Sequence, residues 1–294
     1  PRMSQGAESD HRRPGPPTVA RTAGAGRRVG SDWPFLLGLA VIGGLYVFLI
    51  VAMVVADAAF TSREHLWQAL AKREIQYAIK LSLLSCSLTA ILSVWVAVPL
   101  GYLMSRQRFP GKGFLDAVLD IPIVLPPLVV GLSLLILFQT PVGRAIQRLV
   151  PVTYAIPSVV LAQFAVACAF AVRTMRVTFD QINPRSEQVA LTLGCTRGQA
   201  FWRVAVPEAR RGILTAGTLA WARALGEFGP ILVFAGATRM KTEVLSTTVF
   251  LELSIGHLEA AVAVSMLMIA AAVVVLLLVR YLGSEAAFRK GVEP

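Results

Sequence analysis

The sequence predicts an all-α integral membrane protein with six transmembrane helices. Hydrophobic residues make up 55% of the 294 positions and charged residues only 15%, whereas a soluble domain carries about 25% charged residues. The apolar residues fall in six runs of 22 residues or more, and about 20 such residues suffice to cross a bilayer. Most of the Lys and Arg residues lie between these runs, as is typical of residues that set membrane topology.

The chain begins with a basic segment that we expect to be disordered. Residues 1–33 are rich in Arg, Gly and Pro and have almost no large apolar side chains, so they cannot bury enough surface to fold. The first predicted span, 34–56, has 23 residues and no charge. Residues 56–58 (Ala-Asp-Ala) imitate a signal-peptide cleavage site. The run exceeds the hydrophobic region of a signal peptide, about 7–15 residues, so we predict a retained helix.

The second and third spans are predicted at 75–104 and 114–138. The third contains Pro126, Pro127 and Gly131. Adjacent prolines remove backbone donors and interrupt a helix. At membrane depth such a break survives only where protein or a water-lined path covers the freed carbonyls. A simple kink and a role in lining a path through the membrane both remain open at this stage.

Three more spans complete the predicted bundle, at 156–177, 213–236 and 257–282. Polar segments at 178–212 and 237–256 separate them, and a partial return of the second segment into the membrane is left open. The predicted organisation is therefore a basic cytoplasmic tail (1–33), a transmembrane domain (34–283) and a short cytoplasmic tail (284–294).

The distribution of basic residues predicts the orientation in the membrane. Six spans place both termini on one side. That side carries 19 of the 28 Lys and Arg residues, the opposite side carries 8, and Arg223 lies within a span. Because loops rich in Lys and Arg stay in the cytoplasm, we expect both termini and the segment 178–212 to be cytoplasmic. The chain is accordingly predicted to be a multi-pass protein of the inner (plasma) membrane.

The sequence offers no catalytic, metal or nucleotide site. Cys86, Cys168 and Cys195 form no C-x-x-C pair, and the three histidines lack metal-ligand spacing. A phosphate-binding G-x-x-x-x-G-K-[ST] loop is missing from the sequence. The net charge of +11 does not indicate nucleic acid binding, because the arginines lie between apolar runs rather than on one basic face. We therefore predict that the chain holds no cofactor and is not an enzyme.

Two charges lie near the centre of the predicted span 213–236, at Arg223 and Glu227. A charge at this depth is expensive and marks a functional site by default. The i,i+4 spacing places both side chains on one helix face. There they can pair with each other, or Arg223 can meet a passing dianion through charge-assisted hydrogen bonds. A buried ion pair that only fixes helix packing is the alternative.

The segment 186–211 resembles the cytoplasmic coupling loop of the permeases of binding-protein-dependent ABC importers. The family pattern is roughly Glu-Ala-Ala, three residues, Gly, nine residues, Ile-x-Leu-Pro, and it aligns on Gly194. The acidic position then falls on Gln188, with Glu187 one residue earlier, and the resemblance leaves open which of them takes the glutamate's part. An ordinary amphipathic surface helix is the alternative. The remaining matches are Val189 and Ala190 at the opening and Val204, Val206 and Pro207 at the close.

The resemblance implies a docking role for this coupling loop. In the family a short helix, a turn at the glycine and a second helix lie in a cleft of a separate ATPase subunit. Gly194 can take a backbone conformation closed to other residues, and Phe201 with Trp202 offers an aromatic anchor of the kind that dominates interface energies. The residues expected to couple the chain to its ATPase are Glu187, Gln188, Ala190, Gly194, Phe201 and Pro207.

Further stretches resemble the molybdate, tungstate and sulfate branch of this family. They read IPIVLPPLVVG at 121–131, ARALGEFG at 222–229 and FAG at 234–236. The resemblance extends over residues 75–282 and implies a type I ABC importer permease (MetI-like) fold. It also implies an extracytoplasmic oxyanion-binding protein and ATP bound by a partner ATP-binding cassette subunit. The residues expected on the translocation path are Arg223, Glu227, Pro126, Pro127 and Gly131.

The resemblance also suggests the cargo and the assembly. We expect transport of molybdate or tungstate by a homodimer of permease chains. Sulfate or thiosulfate, moved by a heterodimer of two related permeases, is the alternative within the family. A passive anion channel and an intramembrane enzyme that uses Glu227 and Arg223 are the rivals outside it, although no His-Glu metal motif or pair of membrane aspartates supports an enzyme.

Overall fold

The computed structural model describes residues 33–288, and every regular element among them is a helix. This confirms the all-α fold class. Apart from Trp33, the predicted N-terminal tail lies outside the described residues, as do positions 289–294 of the predicted C-terminal tail. The chain divides into two compact units, residues 1–52 and residues 53–294, which are taken separately.

The described part of the first unit is a single apolar helix. Helix α1 runs from Trp33 to Phe60 and so continues into the second unit. Its 28 residues extend about 42 Å, more than the roughly 30 Å of a hydrocarbon core. Its large apolar side chains from Phe35 to Val55 are exposed, except for the half-buried Val54. The helix also continues unbroken through residues 56–58.

The second unit is a bundle of long and short helices. Its elements are, in chain order, α2 (Arg63–Ala71), α3 (Arg73–Arg106), α4 (Lys112–Val124), α5 (Pro127–Gln139), α6 (Pro141–Leu149), α7 (Ile156–Gln181), α8 (Arg185–Thr192), α9 (Arg197–Ala200), a π-helical turn (Phe201–Ala205), α10 (Val206–Glu208), α11 (Arg210–Leu225), α12 (Gly229–Phe234), α13 (Leu245–Ser254) and α14 (Leu258–Phe288).

The core lies where α3, α7 and α11 pack against one another. Small residues make this close packing possible, as is usual between membrane helices. A Cβ atom on Gly101 would stand 2.7 Å from Cβ of Met175, so a larger residue cannot be accommodated there without separating α3 from α7. The fully buried alanines of this core include Ala97 on α3, Ala167 and Ala171 on α7, and Ala216 and Ala220 on α11.

Four described helices are long and apolar enough to cross a membrane: α1, α3, α7 and α14. They contain the predicted first, second, fourth and sixth spans, except that α14 begins one residue after 257 and continues to Phe288. Helices α4 and α5 meet the same criterion only when taken together, as a broken span or a re-entrant loop, and they are bent by 112° at the break before Pro127. The proline pair therefore interrupts the third span by a sharp bend.

The predicted fifth span, 213–236, is not one continuous helix. Helix α11 ends at Leu225 and α12 begins only at Gly229, and α12 has just 6 residues. The physical reason is local, because Pro230 cannot donate a backbone hydrogen bond to the preceding turn and Gly226 and Gly229 lack side chains that would favour helix. Arg223 therefore lies in the last turn of α11, and Glu227 lies in the break.

Candidate functional site

Residues 186–211, the predicted coupling loop, are called the coupling segment below. The segment folds as the short helix α8, a turn at Gly194 and a second helical stretch from α9 to α10. Gly194 has a φ of +89° and follows Leu193, the C-cap residue of α8. Its N–H donates to the carbonyl of Leu191 at 3.1 Å, and the N–H of Cys195 donates to that of Ala190 at 3.0 Å. This pair of bonds is a Schellman motif, which requires a left-handed residue at the position of Gly194. A Cβ atom there would meet nothing within 4 Å, so conformation rather than space demands the glycine.

Glu187 attaches the coupling segment to the membrane helices. It is only 7% exposed, and its carboxylate accepts hydrogen bonds from the Tyr102 hydroxyl at 2.6 Å and from Nε of Arg106 at 2.9 Å. Arg106 also donates to the carbonyl of Ile182 at 2.9 Å, at the end of α7. Such charge-assisted bonds are shorter and stronger than neutral ones. Glu187 therefore links α8 to the last turn of α3, whereas Gln188 is exposed.

The aromatic pair of the segment is divided between the interior and the surface. The Phe201 ring packs edge-on against Tyr102 with 4.7 Å between centroids, so it belongs to the contact with α3. Trp202 remains 68% exposed. On α8, Val189 and Leu193 are exposed as well, at 56% and 80%. Ala190 is buried and Pro207 is exposed.

Arg223 and Glu227 form an ion pair at the end of α11. Nη1 of Arg223 lies 2.8 Å from Oε2 of Glu227. The two side chains differ in access to solvent, because Arg223 is 30% exposed and Glu227 only 1%. The Arg223 guanidinium also lies over the Phe170 ring, 5.6 Å from its centroid. A cation in the last turn of a helix is favoured by the negative end of the helix dipole.

Polar side chains from neighbouring helices bind the backbone exposed by this break. Nε2 of Gln163, a fully buried residue of α7, donates to the carbonyl of Ala224 at 3.2 Å. Oγ of Ser246 donates to the carbonyl of Glu227 at 2.7 Å. Inside a membrane an interrupted helix requires such partners. Gln163 is not among the residues predicted above, although it is the lone amide in the apolar run 156–177 and could have been found by that signal.

The break between α4 and α5 packs against the break between α11 and α12. A Cβ atom on Gly131 would stand 2.7 Å from Cα of Pro230, and one on Gly229 would stand 3.1 Å from Cβ of Pro127. Each broken helix thus places a glycine against the other's proline. This brings Pro127 beside Gly229 and Gly131 beside Pro230, within three residues of Glu227, while Pro126 is the exposed residue before α5.

A second charge cluster lies around Glu252 on α13. Glu252 is 1% exposed, and its carboxylate accepts from Arg239 at 2.8 Å and lies 3.3 Å from Nδ1 of His257. Arg239 also donates to Glu74 at 2.6 Å. Nearby Glu243 is fully buried, and neither of its carboxylate oxygens has a hydrogen-bond partner within residues 33–288. Burial raises the pKa of the Glu243 carboxyl, and the nearby Thr248 hydroxyl and Arg239 charge act in the opposite direction.

The described residues hold no group of three or more His, Cys, Asp or Glu side chains arranged to bind a metal ion. The cysteines are free: Cys86 is buried, and Cys168 and Cys195 are half-buried. The site is therefore built from an ion pair, broken helices and a surface segment, which can bind and move but do not form a recognisable catalytic centre.

Comparison with known proteins identifies the family. Residues 97–286 match the model of the binding-protein-dependent transport system inner membrane component. The chain is 30% identical over 263 residues to the sulfate transport system permease protein CysT of Escherichia coli (strain K12), covering 88% of this chain and 95% of that protein. It is 37% identical over 204 residues to a probable molybdenum ABC transporter permease protein of Haloferax volcanii, covering 69% of this chain and 74% of that one.

The fold is also that of a solved transporter. A bacterial ABC transporter involved in the import of the acidic polysaccharide alginate matches with a TM-score of 0.69, covering 86% of this chain and 96% of that chain. At 18% sequence identity this likeness concerns the fold alone. The family match covers more than half of the chain. The chain therefore belongs to the inner membrane components of binding-protein-dependent transport systems and is an ABC importer permease without a catalytic site of its own.

Proposed function

We propose that this permease carries a tetrahedral oxyanion across the inner membrane, and that Arg223 contacts the anion on its way. The observation that carries the proposal is the asymmetry of the ion pair, in which the arginine is 30% exposed and its partner Glu227 only 1%. An arginine that keeps access to water in a membrane segment can exchange its carboxylate partner for a passing anion. A pair that served packing alone would be expected to bury both members.

The bound state and the released state would differ in what neutralises the guanidinium. With no cargo, Glu227 lies 2.8 Å away and balances the charge. An entering dianion competes for the same donors through charge-assisted hydrogen bonds, and the return of Glu227 favours its release. The paired breaks, at Leu125–Pro126 and at Gly226–Phe228, supply backbone that is not locked in a helix, where small movements can open or close the path.

The energy that opens and closes the path would come from ATP hydrolysis by a separate ATP-binding cassette subunit that docks on α8. The exposed side chains of Gln188, Val189 and Leu193 form a face suited to a protein partner. Glu187, Ala190 and Phe201 face the permease instead, and the Glu187–Arg106 bond of 2.9 Å would transmit a displacement of α8 to helix α3. Gly194 and Pro207 shape the turn and the exit of the segment.

The proposed setting follows the distribution of basic residues. The coupling segment and both termini lie in the cytoplasm, and the Glu252 cluster faces the opposite side. There an extracytoplasmic binding protein delivers the anion. A second permease chain, identical or related, encloses the path with this one.

Two identities of the anion are supported by different relatives. The molybdenum permease of Haloferax volcanii is the more identical over its matched part, at 37%. The sulfate permease of Escherichia coli matches along more of the chain, 88% against 69%. Sulfate therefore stands beside molybdate and tungstate as cargo, with a heterodimer expected for sulfate and a homodimer for the other two.

Calorimetric titration of the cognate binding protein with molybdate, tungstate and sulfate tests the choice, and uptake of the bound anion by vesicles holding the complete transporter tests the function. We expect one anion to bind far more tightly and its uptake to require both ATP and the binding protein. Uptake without ATP would favour a passive channel. Turnover of a substrate by the purified permease without its ATPase would favour an enzyme. Either result would overturn the proposal.

A further inference from the structure

An open apolar groove runs along the C-terminal part of α3, beside the coupling segment. Its volume is about 650 Å³. One wall is formed by Val94, Trp95, Pro99 and Leu103 of α3, and the other includes Trp202 and Val206 of the coupling segment. Trp95 is 75% exposed and Trp202 is 68% exposed. Two large aromatic side chains thus border a groove that the described chain leaves open.

The groove has the length of one leaflet of a membrane. From Val94 to Leu103 the helix rises about 14 Å, close to half of the roughly 30 Å hydrocarbon core. Its outer end coincides with Trp202, and tryptophan is enriched at the boundary between hydrocarbon and headgroups. An acyl chain lying along α3 would therefore reach the middle of the bilayer while its headgroup stays beside Trp202.

Positive charge lies at that headgroup end. Arg203 follows Trp202 directly and is exposed. Helical hydrogen bonding continues through Ala209, whose N–H donates to Ala205 and whose carbonyl accepts from Ile213, each at 2.9 Å. Arg210 is therefore one turn from both Val206 and Ile213, two groove residues on the same helix face. A basic pair above an apolar groove matches an anionic lipid.

We propose that this groove binds one phospholipid with an anionic headgroup, its acyl chain along α3 and its phosphate beside Arg203 and Arg210. The proposal rests on the proposed function in one respect, the placement of this groove in the cytoplasmic leaflet. Trp202 and Val206 belong to the coupling segment, so the lipid would contact the element that transmits the ATPase movement. An anionic lipid would then stabilise the packing of that segment against the membrane helices.

Native mass spectrometry of the full chain in detergent, mixed with equal amounts of phosphatidylglycerol and phosphatidylcholine, tests the proposal. We expect one phosphatidylglycerol retained per chain in preference to phosphatidylcholine. Arg203→Gln should lower the ratio of the two retained lipids about fivefold, which corresponds to about 1 kcal/mol for a basic residue at the membrane surface. Arg148→Gln is the matched control, because Arg148 is also exposed but lies at the end of α6, and it should leave the ratio unchanged.

A second variant tests the groove itself. Leu103→Trp fills the groove from a position that is already 41% exposed and should reduce retention of both lipids. Equal retention of the two lipids by the unaltered chain would overturn the anionic specificity. A dimer that retains no lipid would show that a second copy covers the groove and would overturn the site. Lipid retention requires no transport, so these results are independent of whether the oxyanion proposal holds.

Discussion

The Arg223–Glu227 pair allows the proposed path to be tested by charge removal. Replacing Arg223 with Met keeps an unbranched apolar stem but removes the guanidinium and leaves Glu227, 1% exposed, without its counter-charge. Breaking a buried ion pair from one side costs about 3–5 kcal/mol. Because Arg223 is 30% exposed, the pair is only partly shielded from water, and we take the low end, about 3 kcal/mol.

The reverse change is expected to be milder. Glu227→Leu leaves an arginine that still reaches water, so the loss should be near the upper value for exposed pairs, about 1 kcal/mol. Removing both charges leaves no unpaired ion, and such replacements are often neutral or stabilising. On a scale of about 2–4 °C per kcal/mol for larger domains, Arg223→Met should lower the melting temperature by about 6–12 °C. The double variant should recover most of that loss.

Stability measurements do not distinguish a purely structural ion pair from an Arg223 that contacts the anion, whereas uptake measurements do. The double variant Arg223→Met with Glu227→Leu should assemble with its ATPase and melt near the unaltered protein, yet transport no anion. The measurements are thermal unfolding of the purified complex and ATP-dependent uptake by reconstituted vesicles. If the pair were only structural, the double variant would regain uptake together with stability. Full uptake by the double variant would therefore refute a contact between Arg223 and the anion.

Three further predictions concern the turn, the helix breaks and the topology. Gly194→Val places a β-branched residue at a φ of +89°, at a cost of at least about 1–2 kcal/mol. We expect this variant to hydrolyse ATP without uptake. Gly198→Val is the control, because Gly198 has no positive φ and a Cβ atom there meets nothing within 4 Å. Equal coupling of hydrolysis to uptake in both variants would contradict the assignment. Gly131→Ala puts a Cβ atom 2.7 Å from the backbone of α12 and should lower the free energy of unfolding by about 1–3 kcal/mol. Gly113→Ala is the control, because its Cβ atom meets open space. Identical melting temperatures of the two variants would disprove the close packing. A reporter fused after Pro294 should be active only in the cytoplasm, and activity on the other side would reverse the topology.

In the coupling segment, local sequence predicts the turn but not the long-range contacts. The spacing of Gly194 and Pro207 predicted the segment, and the turn at Gly194, with its φ of +89°, is a local feature that the residue type itself indicates. The partner of Glu187 could not be found in this way, because Tyr102 and Arg106 are more than 80 residues away in sequence and reach it only through the packing of α3. The same packing turned Phe201 inward and left Trp202 on the surface.

The membrane spans show the same division. Hydropathy over 20 or more residues located α1, α3, α7 and α14, because each must match the thickness of a bilayer whatever its neighbours are. The apolar run 213–236 passed the same criterion but is broken at Gly226–Phe228. Hydropathy indicates that a segment lies in an apolar environment. It does not indicate whether the backbone hydrogen bonds of that segment form one continuous helix.

By itself the sequence determined the all-α membrane class and the family, since these depend on composition and on short spacings along the chain, and it predicted the coupling segment. It also marked Arg223 and Glu227, because charges in an apolar run are visible without coordinates. Only the tertiary structure decided that the pair lies at a helix end with unequal exposure, that Gln163 and Ser246 bind the broken backbone, and that Gly131 meets Pro230. These contacts join residues far apart in sequence, and close packing of whole helices, which no local pattern encodes, brings them together.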